Sequence, residues 1–247
     1  MGESVLVLDG VWKSFDRGDD RLQVLVDVSL SVAAGEIVAV VGTRDQGKTT
    51  LLRVASGSLP PDRGSVRLSD LELTGLSDGQ LARVLRTEIG WAARTGPEVR
   101  VRVRDYVGLP LATGLRLRWR ERRLRVVEVL KQLDVAGCAE LRWRELSDWQ
   151  RVLVELAQAI VGRPRLLLVD DVIDGLGLGK KQVAMEILRA FADDLECGVL
   201  MAVSDHAAAL SSDRVWQLTG GQLKLMADLT DADHGDAIAV GTAAGDG

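Results

Sequence analysis

The residues best suited to chemistry form a glycine-rich loop that begins at Gly42 and ends in Gly47-Lys48-Thr49, matching G-x-x-x-x-G-K-[ST]. The glycines let backbone N–H groups wrap phosphate oxygens, and the N-terminus of a following helix favours negative charge there. Lys48 would reach the β- and γ-phosphates of a nucleotide, and the Thr49 hydroxyl would ligate Mg²⁺. The rest of the predicted phosphate site is Thr43, Arg44, Asp45, Gln46 and Thr50.

Two carboxylates, Asp170 and Asp171, follow the apolar run 166–169. Such a run is typical of a buried parallel strand, and open α/β sheets bind ligands at the carboxyl ends of their strands. Asp170 is expected to hold Mg²⁺ through water, and Asp171 to orient or deprotonate a water that attacks the γ-phosphate. An acidic pair at the end of a strand is a weak signal by itself, but a preceding phosphate loop makes the catalytic interpretation much stronger.

Hydropathy patterns predict the elements that must position these groups. A continuous apolar strand at 37–41 precedes the loop, and a helix at 48–56 follows it. Alternating segments near the N-terminus predict strands at 5–15 and 24–32, and short strands follow at 65–68 and 71–73. Further strands are predicted at 89–93, 166–169, 199–203, 214–218 and 222–225, and helices at 78–85, 122–133, 149–161 and 181–195. Strands alternating with helices predict an α/β fold.

Composition excludes several classes of protein. The chain has 247 residues, of which 47% are hydrophobic and 27% charged, so it is neither largely disordered, collagen-like nor a disulfide scaffold. A net charge of −5 argues against a nucleic-acid binder, and two distant cysteines, Cys138 and Cys197, argue against zinc or Cys-X-X-Cys chemistry. The longest apolar runs have strand length, and the start of the chain lacks a basic signal region. We therefore expect a cytoplasmic protein that does not itself span a membrane.

Two segments have an unusual charge. Asp228–Gly247 has five Asp and neither Lys nor Arg, so residues 227–247 are expected to form a flexible acidic tail. An arginine-rich run is either a solvated face or a surface that meets a membrane protein's cytoplasmic loops or anionic lipid headgroups. The run consists of Arg100, Arg102, Arg104, Arg116, Arg118, Arg120, Arg122, Arg123 and Arg125.

Together with the loop and the acidic pair, four further segments give the chain a family resemblance over residues 4–226. The segments are 73–77 (LTGLS), 88–91 (EIGW), 104–107 (RDYV) and 212–215 (SDRV). The chain resembles the ATP-binding subunit of an ABC transporter, closest to the lipoprotein-release, macrolide-export and cell-division subgroup. The resemblance implies a P-loop NTPase with a RecA-like core, an antiparallel β subdomain and an inserted helical subdomain at about 95–150, within an ATP-binding domain of residues 1–226.

The resemblance also implies cofactors and partners. ATP and Mg²⁺ would be the cofactors, and transmembrane permease subunits and a second ATP-binding domain, from the same chain or an intact paralogue, would be the partners. The protein would then lie at the inner face of the cell membrane.

The resemblance assigns roles to three further positions, and one of them, Arg94, departs from the family pattern. Phe15 stands where an aromatic ring would stack on adenine, although it could instead be a core residue. Arg94 replaces a glutamine that would ligate Mg²⁺; because Arg has only donors, it would contact phosphate directly or remain solvated. His206 is the expected switch histidine, with a register uncertain by one or two residues, unless it is simply an exposed loop histidine.

The signature segment, which would cap ATP held by the other subunit, reads Leu146-Ser147-Asp148-Trp149-Gln150. Ser147 can still donate to the γ-phosphate, but Asp148 and Trp149 replace two glycines. A carboxylate at about 4 Å from a phosphate charge would be repelled by roughly 4 kcal/mol at a dielectric near 20. A tight ATP sandwich therefore requires Asp148 to turn away.

These departures leave two functions open. In the first, the chain is a transport ATPase subunit that couples ATP binding and slow hydrolysis to movement of a membrane partner. In the second, it is a hydrolysis-deficient structural or regulatory subunit beside an intact ATPase. Asp171 bears on this choice because it stands where the family has Glu, which is one methylene longer, and a misplacement of about 1 Å can cost on the order of 10²-fold in rate.

Overall fold

The computed structural model describes residues 3–18, 20–94, 96–97, 101–113 and 117–228. Arg100, Arg116 and residues 229–247 of the predicted acidic tail lie outside the described residues. The expected start of that tail at residue 227 is wrong, because residues 227 and 228 belong to the last strand, Gln222–Asp228. Their backbone pairs with the preceding strand.

A six-stranded sheet forms the centre of the fold, as the apolar runs predict. The strand order is β10-β9-β3-β8-β7-β6, in which β9, β3, β8, β7 and β6 are parallel and β10 closes an antiparallel hairpin. The strands are β3 (Ile37–Val41), β6 (Ile89–Ala93), β7 (Leu166–Asp170), β8 (Gly198–Val203), β9 (Arg214–Thr219) and β10 (Gln222–Asp228). Parallel pairing brings the carboxyl ends of β3, β6, β7 and β8 to one edge of the sheet.

A second, antiparallel sheet has four strands in the order β2-β1-β4-β5. Its strands are β1 (Ser4–Arg17), β2 (Asp20–Ala33), β4 (Arg63–Leu68) and β5 (Leu71–Glu72). Strands β1 and β2 are longer than the sequence predicts, because their paired ends continue as an exposed hairpin. An exposed hairpin does not show the alternation of apolar and polar residues from which strands are predicted.

The two faces of β3 contact different hydrophobic cores, as expected from the two-residue period of a strand. Ile37, Ala39 and Val41 face one core together with helices on the outer side of the sheet. Val38 and Val40 face the second core, which lies between the two sheets. The strand is therefore buried on both sides and fixed in position, which fixes the loop that follows it.

Helices cover the large sheet and extend beyond it. They are α1 (Lys48–Ala55), α2 (Asp78–Thr87), α3 (Val103–Val107), α4 (Leu109–Thr113), α5 (Trp119–Gln132), α6 (Asp148–Ile160), α7 (Leu178–Leu195) and α8 (His206–Ala209). The short helices α3, α4 and α8 are not predicted from the sequence. Helices α3 to α5 lie between β6 and α6, where the helical insertion is expected, while the limits 95 and 150 of that subdomain stay a prediction.

The structure confirms the α/β class and the combination of a parallel core with an antiparallel sheet and inserted helices. Of the helices in the described ranges, none combines the length and apolarity that a membrane crossing requires.

Candidate nucleotide-binding site

The glycine-rich loop joins β3 to α1 at the carboxyl edge of the large sheet. Gly47 has φ 96°, and a Cβ atom there would lie 2.6 Å from Val24 Cγ1. The second glycine is therefore required because β2 presses on the loop. Arg44 and Asp45 do not crowd the loop, since both are exposed and Asp45 tolerates its φ of 64° better than most residues would. The remaining loop residues are exposed Thr43 and half-buried Gln46 and Thr50.

Lys48 is held under the loop by oxygen acceptors. Its side chain is only 4% exposed. The ammonium donates to Gly42 O at 2.8 Å, to Thr43 O at 3.2 Å and to Ser204 Oγ at 3.1 Å. It also lies 3.7 Å from Asp171 Oδ1. A buried positive charge thus stands at the place where the motif predicts phosphate contact.

Thr49 and Asp170 form the predicted Mg²⁺ pair. Thr49 Oγ1 donates to Asp170 Oδ1 at 3.0 Å. Burial raises the pKa of Asp170, while the Thr49 hydrogen bond and the charge of Lys48 lower it. A hydroxyl oxygen beside a carboxylate is a donor set that suits Mg²⁺, which takes few protein ligands and completes its shell with phosphate oxygens and water. The residues present fit the implied cofactor.

Asp171 has an unusual backbone conformation and a buried carboxylate oxygen. Its backbone is left-handed, with φ 51°, and its Oδ1 is buried without a hydrogen bond among the described residues. Burial raises the pKa of this carboxyl to about 6; the charge of Lys48 opposes the rise, and Asp174 and Asp170 add to it. Buried polar atoms are almost always satisfied in native proteins. The open lone pair therefore indicates a water or ligand contact beside Lys48.

Sequence reasoning missed Ser204 and Asp174, which complete this edge. Ser204 follows β8 directly; its Oγ accepts from Lys48, and its backbone N–H donates to Asp174 Oδ2 at 3.1 Å. The position of Ser204 could have been inferred, because it comes immediately after the apolar run Val199–Val203, as Asp170 follows its own run.

Phe15 lies on the hairpin that presses against the loop. It pairs with Leu22, two residues before Val24. Its side chain is 40% exposed, so the alternative of a core residue is wrong. Lys13 Nζ lies 5.7 Å from the ring centroid, within the range of a cation–π contact. The ring is thus available for stacking on a planar group.

Asp62 fixes the hairpin segment that carries Phe15. One carboxylate accepts from Lys13 Nζ at 3.0 Å, from Ser14 N at 2.9 Å, from Ser14 Oγ at 2.6 Å and from Arg21 Nη2 at 3.2 Å. These donors hold the pKa of Asp62 well below its usual range. No sequence pattern identifies this residue.

The signature segment starts α6. Ser147 Oγ accepts from Gln150 N at 3.3 Å, and Gln150 Oε1 accepts from Ser147 N at 2.9 Å, so the two residues form a capping box. The Ser147 hydroxyl proton remains free to donate. Asp148 is 91% exposed and pairs with Arg151 at 3.2 Å, whereas Trp149 packs partly on the core. Asp148 is thus turned towards Arg151, which partly offsets its charge.

Arg94 does not join the Mg²⁺ pair. Its guanidinium lies beside Gly175, where a Cβ atom would be 3.3 Å from Nη2. Arg94 and Asp148 line one cleft of about 200 Å³ together with Glu155, which is 3% exposed. The two carboxylate oxygens of Glu155 accept from the Tyr106 hydroxyl at 3.0 and 3.1 Å. Burial raises the pKa of Glu155 to about 7, although hydrogen bonds from Tyr106 and the Ala93 backbone lower it.

His206 begins α8, three residues after β8 ends at the same sheet edge. The residue is exposed, and Asp205 before it caps the helix by accepting from Ala207 N at 2.9 Å. Asp205 also pairs with Lys181. The structure therefore places His206 on the correct edge, while its switch role stays a prediction.

Comparisons with known proteins agree with this geometry. The family model described as ABC transporter matches residues 25–174. The lipoprotein-releasing system ATP-binding protein LolD of Cereibacter sphaeroides is 32% identical over 224 residues, which cover 89% of this chain and 98% of LolD. The macrolide export ATP-binding/permease protein MacB of Chromobacterium violaceum is 31% identical over 225 residues, which cover 90% of this chain. The chain covers 34% of the length of MacB.

Among solved structures, the dimeric ATP-binding cassette MJ0796 bound to ADP and Pi superposes with a TM-score of 0.84 and 24% identity, covering 91% of this chain and 98% of the cassette. This likeness shows the fold. The family model covers more than half of the chain, and the chain spans nearly all of a relative more than 30% identical to it. The protein therefore belongs to the ABC transporter family, as an ATP-binding domain.

Proposed function

We propose that this chain is the ATP-binding subunit of a membrane transporter. It binds Mg-ATP at the carboxyl edge of its large sheet, hydrolyses it slowly, and couples the cycle to movement of a transmembrane permease. The observation that carries the proposal is the juxtaposition of the buried Lys48 ammonium with the Thr49–Asp170 pair, whose oxygens are 3.0 Å apart. The relatives named for lipoprotein release and macrolide export support an association with permeases and a position at the inner face of the membrane.

Each residue of the site has a distinct task in this proposal. Lys48 and the loop N–H groups between Gly42 and Gly47 bind the phosphates, and the Phe15 ring supports the base. Thr49 and Asp170 hold Mg²⁺, which when bound neutralises charge on the phosphate oxygens. Asp171 orients a water molecule through its Oδ1, which accepts no hydrogen bond among the described residues and lies 3.7 Å from Lys48 Nζ.

Slow hydrolysis follows from the chemistry of two positions. The Asp171 carboxylate is one methylene shorter than a glutamate, and a misplacement of about 1 Å can cost on the order of 10²-fold in rate. Arg94 has no acceptor atom for Mg²⁺, and its guanidinium lies beside Gly175.

The position of Arg94 also favours a second candidate function. The guanidinium beside Gly175 has only donors, so it suits a contact with phosphate and does not serve as a ligand of Mg²⁺ during turnover. The chain would then bind ATP persistently and stabilise a heterodimer with an intact ATPase. The two candidates share the nucleotide site and differ in turnover and in the identity of the second ATP-binding domain.

Nucleotide binding is tested with the purified chain and a fluorescent ATP analogue in the presence of Mg²⁺. Lys48→Ala should weaken the affinity about 10- to 100-fold, because it removes a charge-assisted contact with phosphate. The matched control Lys180→Ala removes an exposed lysine of α7 and should leave the affinity unchanged. No measurable affinity of the wild-type chain, alone or with its membrane partner, would refute the proposal.

Hydrolysis is tested by phosphate release. Asp171→Glu should raise turnover of the chain by about 10-fold or more, approaching the 10²-fold that a 1 Å displacement can cost. Wild-type turnover at about 1 s⁻¹ or faster would exclude the hydrolysis-deficient alternative, since that is an ordinary enzyme rate.

The partner is identified by isolating the chain from its native membrane in a mild detergent and determining the masses of co-purifying proteins. Two copies of this chain with a membrane protein would support a homodimeric transporter subunit. A second ATPase beside a single copy would support the heterodimer.

A further inference from the structure

Helix α5 carries an exposed stripe in which basic and apolar side chains alternate. Trp119 is 65% exposed and Leu124 is 62% exposed. We use the name α5 stripe for six exposed residues: Trp119, Arg120, Arg123, Leu124, Val127 and Lys131. What distinguishes the α5 stripe is that its exposed apolar side chains are interspersed with cations on one helix.

The geometry of a helix places these residues together. At 100° per residue the α5 stripe covers about 140° of the circumference, and Glu121 and Glu128 fall outside it on the far flank. Counted from Trp119 at 0°, the buried residues Val129, Val126 and Leu130 fall at roughly 280°, 340° and 20°. The core therefore borders the Trp119 edge of the stripe, and the rest of the stripe points away from it. The stripe therefore contains three positive charges and no acidic residue.

The charge of the stripe contrasts with the rest of the chain, whose net charge is −5. Elsewhere in the arginine-rich run, Arg102 and Arg104 share ion pairs with Glu140, and Arg104 also pairs with Asp105 at 3.6 Å. Arg123 and Lys131, by contrast, make no ion pair within the described part of the chain. Arg120 lies over the Trp119 ring, with 5.6 Å between its Cζ and the ring centroid.

We propose that the α5 stripe docks on the surface of an anionic lipid bilayer. Guanidinium and ammonium groups bind lipid phosphates, and Trp is favoured at the level of the headgroups. A basic helix face with Trp and Leu among its cations is the pattern of helices that lie on membranes. The favoured occupant is lipid rather than protein, because Leu124 and Trp119 stand apart on a convex helix, with cations between them, and form no pocket for a partner's side chain.

The strength of this contact is modest. Three basic residues near an anionic surface favour the bound state by about 100-fold in partition. One short helix does not anchor a protein stably, since stable attachment takes a second signal. The stripe therefore orients a domain that its permease already holds at the membrane. The inference is independent of the nucleotide site, because none of the six residues belongs to that site.

The test is flotation of the purified chain with vesicles of phosphatidylcholine alone, or of phosphatidylcholine and phosphatidylglycerol in equal parts. The wild-type chain should float with the anionic vesicles only and should be released by high salt. The triple variant Arg120→Gln/Arg123→Gln/Lys131→Gln should lose about 100-fold in partition. A control variant with the same change of charge, Arg163→Gln/Lys180→Gln/Lys224→Gln, alters exposed residues on other elements and should float like the wild type.

Circular dichroism and ATP affinity serve as folding controls, because the triple variant leaves the buried face of α5 intact. Equal flotation with both kinds of vesicle would overturn the proposal, as would unchanged flotation of the triple variant. Normal flotation combined with loss of the permease from the triple variant would assign the stripe to a protein contact instead. Binding of the wild-type chain to a DNA duplex but not to vesicles would assign it to nucleic acid.

Discussion

Glu155 offers a sharp test of the electrostatics around α6. Its side chain is 3% exposed, and burial raises its pKa from the model-peptide value of 4.5 to about 7. Between pH 4.5 and about pH 7, Glu155 holds a proton in the folded protein that it has released in the unfolded chain. The contribution of Glu155 to stability is therefore complete below pH 4.5 and is lost as the pH rises through 7.

The size of the effect follows from the displacement of the pKa. A shift from 4.5 to about 7 corresponds to about 3 kcal/mol at 1.36 kcal/mol per unit. The variant Glu155→Gln keeps an oxygen that can accept from the Tyr106 hydroxyl but cannot ionise. At pH 8 this variant should be more stable than the wild type by about 1–3 kcal/mol, and at pH 5 the difference should be small.

Urea unfolding at pH 5, 6, 7 and 8, followed by circular dichroism, measures this difference. The exposed Glu128→Gln serves as the control and should show no comparable trend. A difference between wild type and Glu155→Gln that stays constant across the range would refute the reasoning, because it would mean that Glu155 ionises in the folded protein as readily as in the unfolded chain.

Two further predictions concern the elements that hold the nucleotide loop. Gly47→Ala should reduce both the stability in urea unfolding and the ATP affinity, because the new Cβ would lie 2.6 Å from Val24 Cγ1 at a φ of 96°. The control Gly79→Ala places its Cβ where no atom of the described residues lies within 4 Å, so it should be neutral or slightly stabilising in urea unfolding. Asp62→Ala should cost about 1–2 kcal/mol through the loss of charge-assisted hydrogen bonds. Because hydrogen-bond donors lower the pKa of Asp62, its stabilising effect should be present above its unfolded pKa of 3.8 and fade as the pH falls. Urea unfolding of wild type and variant should therefore show a smaller difference in stability at pH 3 than at pH 7.

The central sheet could be predicted from the sequence because its strands are buried on both faces. The limits predicted for Ile37–Val41 agree with the structure, and the runs around 166–169 and 199–203 are correct to within a residue. A strand buried on both faces leaves an uninterrupted apolar signal. The loop was equally clear, since its glycines and lysine have chemical tasks that few other residues can fulfil.

Other features could not be predicted because they depend on distant partners. Helices α3 and α4 are five residues each, too short for a helical period to stand out among arginines and Pro110. The bond between Tyr106 and Glu155 joins residues 49 positions apart, and nothing in the local pattern of α6 distinguishes that glutamate from a solvated one. Asp62 similarly gains its importance only once the hairpin of β1 and β2 has folded over it.

The positions predicted to differ from the family pattern lie in two places. Arg94 and Asp148 line the 200 Å³ cleft, in which Arg151 pairs with Asp148 at 3.2 Å. Its charged residues are Arg94, Asp148, Arg151, Glu155 and Asp174. Asp171 does not line this cleft and lies 3.7 Å from Lys48, but Asp174 of the cleft lining interacts with it and raises its pKa.

The link between Asp171 and the cleft through Asp174 governs how the substitutions act. Replacing Arg94 would leave Arg151 as the single cation beside the three acidic side chains of the cleft lining. Substitutions within the cleft should therefore be coupled to one another, because residues of one charge network do not act additively. Asp171 lies outside the cleft lining but is coupled to it through Asp174, so substitutions at positions 171 and 94 should also be non-additive.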